Sequence, residues 1–234
     1  MPLWWSCLAG AATFLGALVV AVGGAPGRRT LAFVLGLAAG VMGGVVGADL
    51  LPAALTCAGP AAAAAGLLAG VAILAWGDAR LRRHLGPRRH TLLKTGILIG
   101  AAIALHDLPE GLAIAAGFAA LPRLGSVLAL AIGLHNVPEG MATAAPLLAA
   151  GVRRRYALAA CAALSLVTPL GTAVGLLLTR ISPVWIAGLA AAAAGAMLYI
   201  VVAELIPRAV GHHFKAACGG LLTGLGIVYL LARL

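Results

Sequence analysis

Eight long apolar segments, separated by short clusters of glycine, proline and arginine, leave this chain few ways to fold. They run near 3–24, 30–53, 61–79, 94–120, 124–150, 155–179, 184–207 and 214–232. An α-helix needs about 20 apolar residues to cross the hydrocarbon core of a bilayer, and each segment is of that order. The breaks read "GGAPGRR", "CAGP", "LPRLG", "GVRRR" and "RISP", which are turn and helix-stop signals. Only 9% of the residues are charged, against about a quarter in a soluble domain, so water is the wrong solvent for the folded surface. Barrel strands alternate apolar and polar residues; these solid Ala/Leu/Gly runs do not. The expectation is an all-α integral membrane protein of eight transmembrane helices, with 1–234 forming one transmembrane domain. The opening "MPLWWSC" lacks the basic start of a secretion signal, so the first segment reads as a helix. Cys7, Cys57, Cys161 and Cys218 have no metal-binding spacing and read as small apolar residues.

The net charge of +10 does not imply nucleic acid, because the basic residues are sorted by loop. Arg28, Arg29, Arg80, Arg82, Arg83, Arg88, Arg89, Lys94, Arg153, Arg154, Arg155, Arg208 and Lys215 all fall in or at the edges of the loops between segments 1–2, 3–4, 5–6 or 7–8. Arg123, Arg180 and Arg233 fall on the other side. By the positive-inside rule, both termini are extracytoplasmic and the short loop at about 80–93 is cytosolic. The basic loops also favour anionic lipid. Composition rich in Ala, Gly and Arg points to a bacterial inner membrane.

Acidic residues number six, and five of them (Asp49, Asp107, Glu110, Glu139 and Glu204) lie inside apolar segments. The sixth, Asp78, stands two residues before Arg80 and is expected to pair with it. A carboxylate near the bilayer centre costs at least about 2.5–3.5 kcal/mol on insertion scales, so such residues are rare and functional. "LHDLPEG" in segment 4 and "LHNVPEG" in segment 5 repeat one pattern. His106 and Glu110 share a helix face at i,i+4, as do His135 and Glu139. Pro109 and Pro138 free the carbonyls four residues earlier and favour a bend in each helix. At about 1.5 Å per residue, His106 and Glu110 lie ~18 and ~24 Å from Lys94, and Glu139 and His135 lie ~21 and ~27 Å from Arg153. Two imidazoles and two carboxylates at one depth form a nitrogen/oxygen ligand set that suits zinc and accepts cadmium, ferrous iron or manganese. Asp107 and Asn136, one residue along, offer oxygens for a second site bridged by Glu110 and Glu139. A proton relay or helix-to-helix hydrogen bonding would also use such residues, but two copies at matched depth favour metal.

A second repeat runs at a fixed offset. "GVMGGVVGADLLPAAL" from Gly40 matches "GAMLYIVVAELIPRAV" from Gly195, aligning Met42 with Met197, Asp49 with Glu204 and Pro52 with Pro207. The two segments are five apart in order, so they cross in opposite directions, and segments 1–3 and 6–8 form an inverted repeat around 4 and 5, a common transporter plan. Asp49 and Glu204 would then stand near opposite mouths of a metal path, with Met42 and Met197 as soft ligands or packing residues. Arg208, four residues after Glu204, competes as its ion-pair partner.

On "HDLPEG", "HNVPEG" and "GAMLYIVVAELIP", the chain resembles the ZIP (Zrt-, Irt-like) divalent-metal transporters, over essentially its whole length. The resemblance implies His106, Glu110, His135 and Glu139 as principal ligands and metal movement toward the cytosol. It also implies an elevator-like or rocking mechanism with helices 4 and 5 in the moving bundle, and a homodimer. Asp107 stands where many relatives have Asn or Ser, and Thr168 in "SLVTPLG" stands where many carry a glutamate for a second metal. Arg208 replaces an acid found in many relatives. His84 and His90 in the short 3–4 loop, and His212 and His213, are secondary candidates for contact with exiting metal.

The function expected is transport of divalent cations, zinc first, with cadmium, iron or manganese as alternatives, and with no prosthetic group and no enzyme activity. No GxxxxGK[ST] motif is present, so the carrier runs on a gradient, with proton exchange at the ligands as a coupling route. A zinc hydrolase needs an open metal position and a general base on a regular helix; HxxPE interrupts that helix. A carrier of organic anions would need an embedded arginine or aromatic cluster.

Overall fold

The computed structural model describes residues 1–85, 91–120, 122–177 and 183–231; the side chains of 49, 81, 82, 84, 85, 91, 120, 122, 124, 183–186 and 231 lie outside that description. The described residues form helices and no strand: α1 (Pro2–Gly23), α2 (Arg28–Val45), α3 (Leu51–Leu85), α4 (Thr91–Ala120), α5 (Pro122–Ala149), α6 (Arg154–Leu164), α7 (Val167–Leu177), α8 (Pro183–Ile200) and α9 (Ile206–Leu231). Among them, six segments are long and apolar enough to cross a membrane: Pro2–Gly23, Arg28–Ala48, Leu51–Arg80, Leu92–Ala119, Arg154–Leu177 and Ala187–Leu230. The protein is an all-α integral membrane protein. Large apolar side chains such as Trp4, Leu68, Leu177, Leu222 and Leu230 point outward, as lipid-facing residues do.

Two of these helices are really pairs of rods. Backbone dihedrals leave the helical region at Gly59 (φ 79°) in α3 and at His213 (φ −165°, ψ 103°) in α9. Gly59 takes the left-handed conformation that glycine alone tolerates cheaply, and Pro60 then opens the next rod with its fixed φ. At the second break, His213 Nδ1 accepts a hydrogen bond from the Ala216 N–H at 3.2 Å, so the ring caps the new rod. Segment 6, expected as one helix over 155–179, is divided into α6 and α7. Pro169 cannot donate to the Ser165 carbonyl, the Ser165 hydroxyl donates to the Cys161 carbonyl, and the chain tightens at Ser165–Leu166. His90 and Arg180 lie outside the described residues, as does the His84 side chain.

Short π-helical turns occupy Val46–Leu50 and Val201–Leu205, between α2 and α3 and between α8 and α9. Pro52 and Pro207 follow them and can donate nothing to Ala48 and Ala203, the carbonyls four residues back; a widened turn absorbs that mismatch. Both turns therefore have a cause in the sequence, at the two positions aligned by the internal repeat.

Helices approach closely where glycines face a neighbouring backbone. Gly36 and Gly40 of α2 lie against Ala217 and Leu221 of α9; Gly70 of α3 lies against Ala192 of α8. Gly140 of α5 meets Thr13 of α1, and Gly111 of α4 meets Thr168 of α7. Such contacts bring backbones into van der Waals range without any driving force from water. They pair α2 with α9, α3 with α8, α1 with α5 and α4 with α7; we take the first two pairs as one group and the last two as another. The main apolar cluster joins both, with Met42, Ile99, Ile103, Met197, Ile200 and Leu205 fully enclosed. Met42 and Met197 thus occupy packing positions.

A β-carbon at Gly70 would collide with the Ala192 carbonyl oxygen, whereas one at Gly77 meets nothing within 4 Å. Gly70→Val is expected to lower stability by about 1–3 kcal/mol, seen as a lower unfolding temperature in detergent. Gly77→Ala, in the same helix, should leave it unchanged or slightly higher.

Candidate metal site

His106 and Glu110 lie one helical turn apart on α4, and His135 and Glu139 one turn apart on α5, so each helix contributes an imidazole and a carboxylate to one seam. At that seam the four side chains meet. His135 Nε2 lies 2.8 Å and His106 Nε2 3.0 Å from the same oxygen, Glu110 Oε1. Glu139 Oε1 lies 3.6 Å from His106 Nε2, and the two imidazole centroids are 5.8 Å apart. Ligand atoms of His106, His135 and Glu139 fall within 4.8 Å of one another, as do those of His106, Asp107 and Glu110. All are buried; Glu139 and His106 are 0% exposed.

What marks the cluster is unspent hydrogen-bonding capacity. Among the described residues, Glu139 Oε1 and Oε2, Glu110 Oε2, Asn136 Oδ1 and His106 Nδ1 have no hydrogen-bond partner. Native interiors pair nearly all such atoms, and buried charges are paired or coordinate metals. Carboxylates and imidazoles with open lone pairs fit a divalent cation, whose ligands would close to about 2.0–2.2 Å for zinc.

Neighbouring groups fix these helices rather than fill the seam. The Asn136 amide donates to the Ala9 carbonyl of α1 at 3.0 Å, leaving its oxygen as the free end. The Thr143 hydroxyl donates to the Glu139 carbonyl at 3.1 Å. On the other side, the Thr172 hydroxyl donates to the Gly111 carbonyl at 2.9 Å, stapling α7 to α4 just beyond Glu110. Thr168 stands beside Asp107.

Glu204 belongs to a different cluster. Its Oε1 lies 2.5 Å from Lys94 Nζ, its Oε2 accepts from the Thr95 hydroxyl at 2.7 Å, and Arg208 Nε stands 3.5 Å away. Lys94 Nζ also meets Asp78 Oδ1 at 2.8 Å, and the Tyr199 hydroxyl donates to Asp78 Oδ2 at 2.8 Å. The expected Asp78–Arg80 pair is therefore corrected. Residues two apart on a helix do not face each other; Arg80 instead stacks over the Trp76 ring at 4.9 Å. Lys94, read from sequence as a loop cation, is buried in the first turns of α4. Its position twelve residues before His106, on the same apolar run, was the available signal. Asp49 lies in the first π-turn, and its side chain is outside the described residues.

The family model described as ZIP Zinc transporter matches residues 83–232. The chain belongs to the ZIP family. It is similar to the zinc transporter ZupT of Enterobacter sp. (strain 638), with 36% identity over 98% of this chain and 97% of that protein. The ZupT proteins of Escherichia fergusonii and Salmonella newport are 34% identical over the same shares. Membership makes this ZIP chain a transporter rather than an enzyme.

If Glu110 is the oxygen both imidazoles share, its loss should weaken zinc and cadmium binding in detergent by more than the roughly 10–100-fold that removal of a supporting partner costs. Asn136→Ala, which loses a tie to α1 and one free oxygen, should cost no more than that range. Isothermal titration of the two variants beside wild type measures both.

Proposed function

We propose that the chain carries divalent transition-metal cations, zinc foremost, across a bacterial inner membrane into the cytosol, through a midplane site made by His106, Glu110, His135 and Glu139. One observation carries this reading: two HxxxE turns from neighbouring helices converge on a buried seam where Glu110 Oε2 and both Glu139 oxygens lack partners. The zinc in the names of the ZupT relatives agrees with the ligand chemistry. Cadmium, ferrous iron and manganese fit the same donors.

Eight membrane crossings follow if α5 joins the six apolar segments and Ala187–Leu230 is divided at His213. The inverted repeat of 1–3 and 6–8 is supported by the π-turns at Val46–Leu50 and Val201–Leu205, which share the offset that aligns Asp49 with Glu204. It is supported also by the pairing of α2 with α9 and α3 with α8, which exchange into each other under that symmetry. Both termini are then extracytoplasmic, by the distribution of basic residues. The group of α1, α4, α5 and α7 carries the site and shifts against the group of α2, α3, α8 and α9, so that the metal faces first Asp49 and then Glu204. Asp107, Asn136 and Thr168 supply oxygens for a second cation bridged by Glu110 and Glu139.

Metal flux into proteoliposomes tests the proposal. Wild type should take up zinc and cadmium, and Glu110→Ala and Glu139→Ala should each reduce the rate to that of empty vesicles. Uptake should fall as the medium is acidified, because imidazole binds metal only when neutral. Stoichiometric metal binding without flux in wild type would defeat the carrier reading.

A further inference from the structure

The two helix groups share an apolar boundary, and among the described residues side-chain hydrogen bonds cross it from Lys94 and Thr95 of α4. They end on Asp78 of α3 and on Glu204 in the π-turn before α9. By contrast, Asn136 to Ala9 and Thr172 to Gly111 lie within one group, and Tyr199 to Asp78 within the other. We propose that Lys94, with Asp78 and Glu204, is a latch that holds the site-bearing helix α4 in the conformation described here and that opens and recloses in each transport cycle. This rests on the transport reading above.

Placement and chemistry both favour a latch over a static brace. Lys94 lies three helical turns from His106 on the same helix, about 18 Å along its axis, so a shift of the site must carry the ammonium with it. Two carboxylates fix that ammonium from the opposing group, and it is buried. A buried ion pair is set by geometry: displacement of a few ångströms leaves both partners uncompensated. Such a network is therefore either closed or open, which is what a two-state device requires. Arg208 gives the open state somewhere to go. Its side chain is 31% exposed and already stands 3.5 Å from Glu204, so it can keep that carboxylate neutralised when Lys94 leaves. The tethered ammonium also occupies the acids on the way out of the site, and a metal ion passing Glu204 meets them only when the latch is open.

The chain contains two lysines, Lys94 and Lys215, and Lys215 is exposed, so amine footprinting reads the latch against an internal reference. Wild-type protein in liposomes is treated on both faces with an amine-acylating reagent, with and without a zinc gradient. Modification at each lysine is measured by peptide mass spectrometry. Cycling should raise the Lys94 rate relative to Lys215 by about fivefold or more, because an open state is populated. Asp78→Asn should raise the Lys94 rate in the absence of metal. A Lys94 rate that zinc leaves unchanged or slows would overturn the latch, as would an Asp78→Asn variant that labels like wild type. Zinc flux is followed in the same vesicles: its absence counts against the transport reading, while unchanged Lys94 labelling in vesicles that do take up zinc overturns the latch alone.

Discussion

Removing a carboxylate from water costs several kcal/mol unless a positive partner takes the place of the lost solvent, and in this fold two buried clusters meet that demand differently. Around Asp78 and Glu204 the partner is built in: the Lys94 ammonium sits between the two acids, with Arg208 at hand and the Tyr199 and Thr95 hydroxyls taking up remaining oxygen lone pairs. Around Glu110, Glu139 and Asp107 no lysine or arginine is present among the described residues. The nearest groups are two imidazoles, and several oxygens stay open. A tethered cation makes the first cluster self-sufficient; the second lacks one, and the proposed metal site rests on that difference.

The helices around these clusters are shaped to permit that arrangement. Proline at 109 and 138 falls inside each HxxxE turn, yet α4 and α5 run on as single helices. Glycines at 111 and 140 then let α7 and α1 press against the backbone just past each glutamate, where a β-carbon would strike the carbonyls of Thr168 and Thr13. Close approach excludes lipid from the seam and holds the carboxylates without filling it. Prolines 52 and 207 act differently. They are absorbed by π-turns, which rotate the residues before them relative to a regular helix. Glu204 lies in one such turn, and its carboxylate reaches Lys94 and Thr95 of α4 as well as Arg208 one turn on.

Much of this could be read from sequence because it is local. The i,i+4 spacing of His106–Glu110 and His135–Glu139 fixes a shared face whatever the tertiary fold, and equal counting from Lys94 and Arg153 set the two pairs at one depth. Long-range pairing was harder to read. Lys94 and Glu204 are 110 residues apart, and nothing in either local pattern names the other. Adjacency suggested Asp78 with Arg80, although helical rotation sends those two apart. The division of segment 6 hinged on Pro169 and Ser165, whose effect on hydrogen bonding leaves the apolar run looking continuous. Membership of the ZIP family accounts for the motifs, but the ion-pair network comes from this chain's own three-dimensional contacts.

Geometry at Glu110 also separates a carrier from a hydrolytic centre. A metal hydrolase keeps one coordination position for water and reserves a carboxylate, outside the ligand sphere, as general base. Here Glu110 Oε1 is the point where both Nε2 atoms meet, and Glu139 closes from the far side at 3.6 Å. On the proposed reading, a cation entering the seam displaces those contacts and takes the same atoms as ligands, which leaves neither glutamate free to activate water. Imidazoles and carboxylates that recombine with each other once the metal departs also lower the cost of releasing it. A site for catalysis gains nothing from that property, whereas a site that must be emptied in every cycle depends on it.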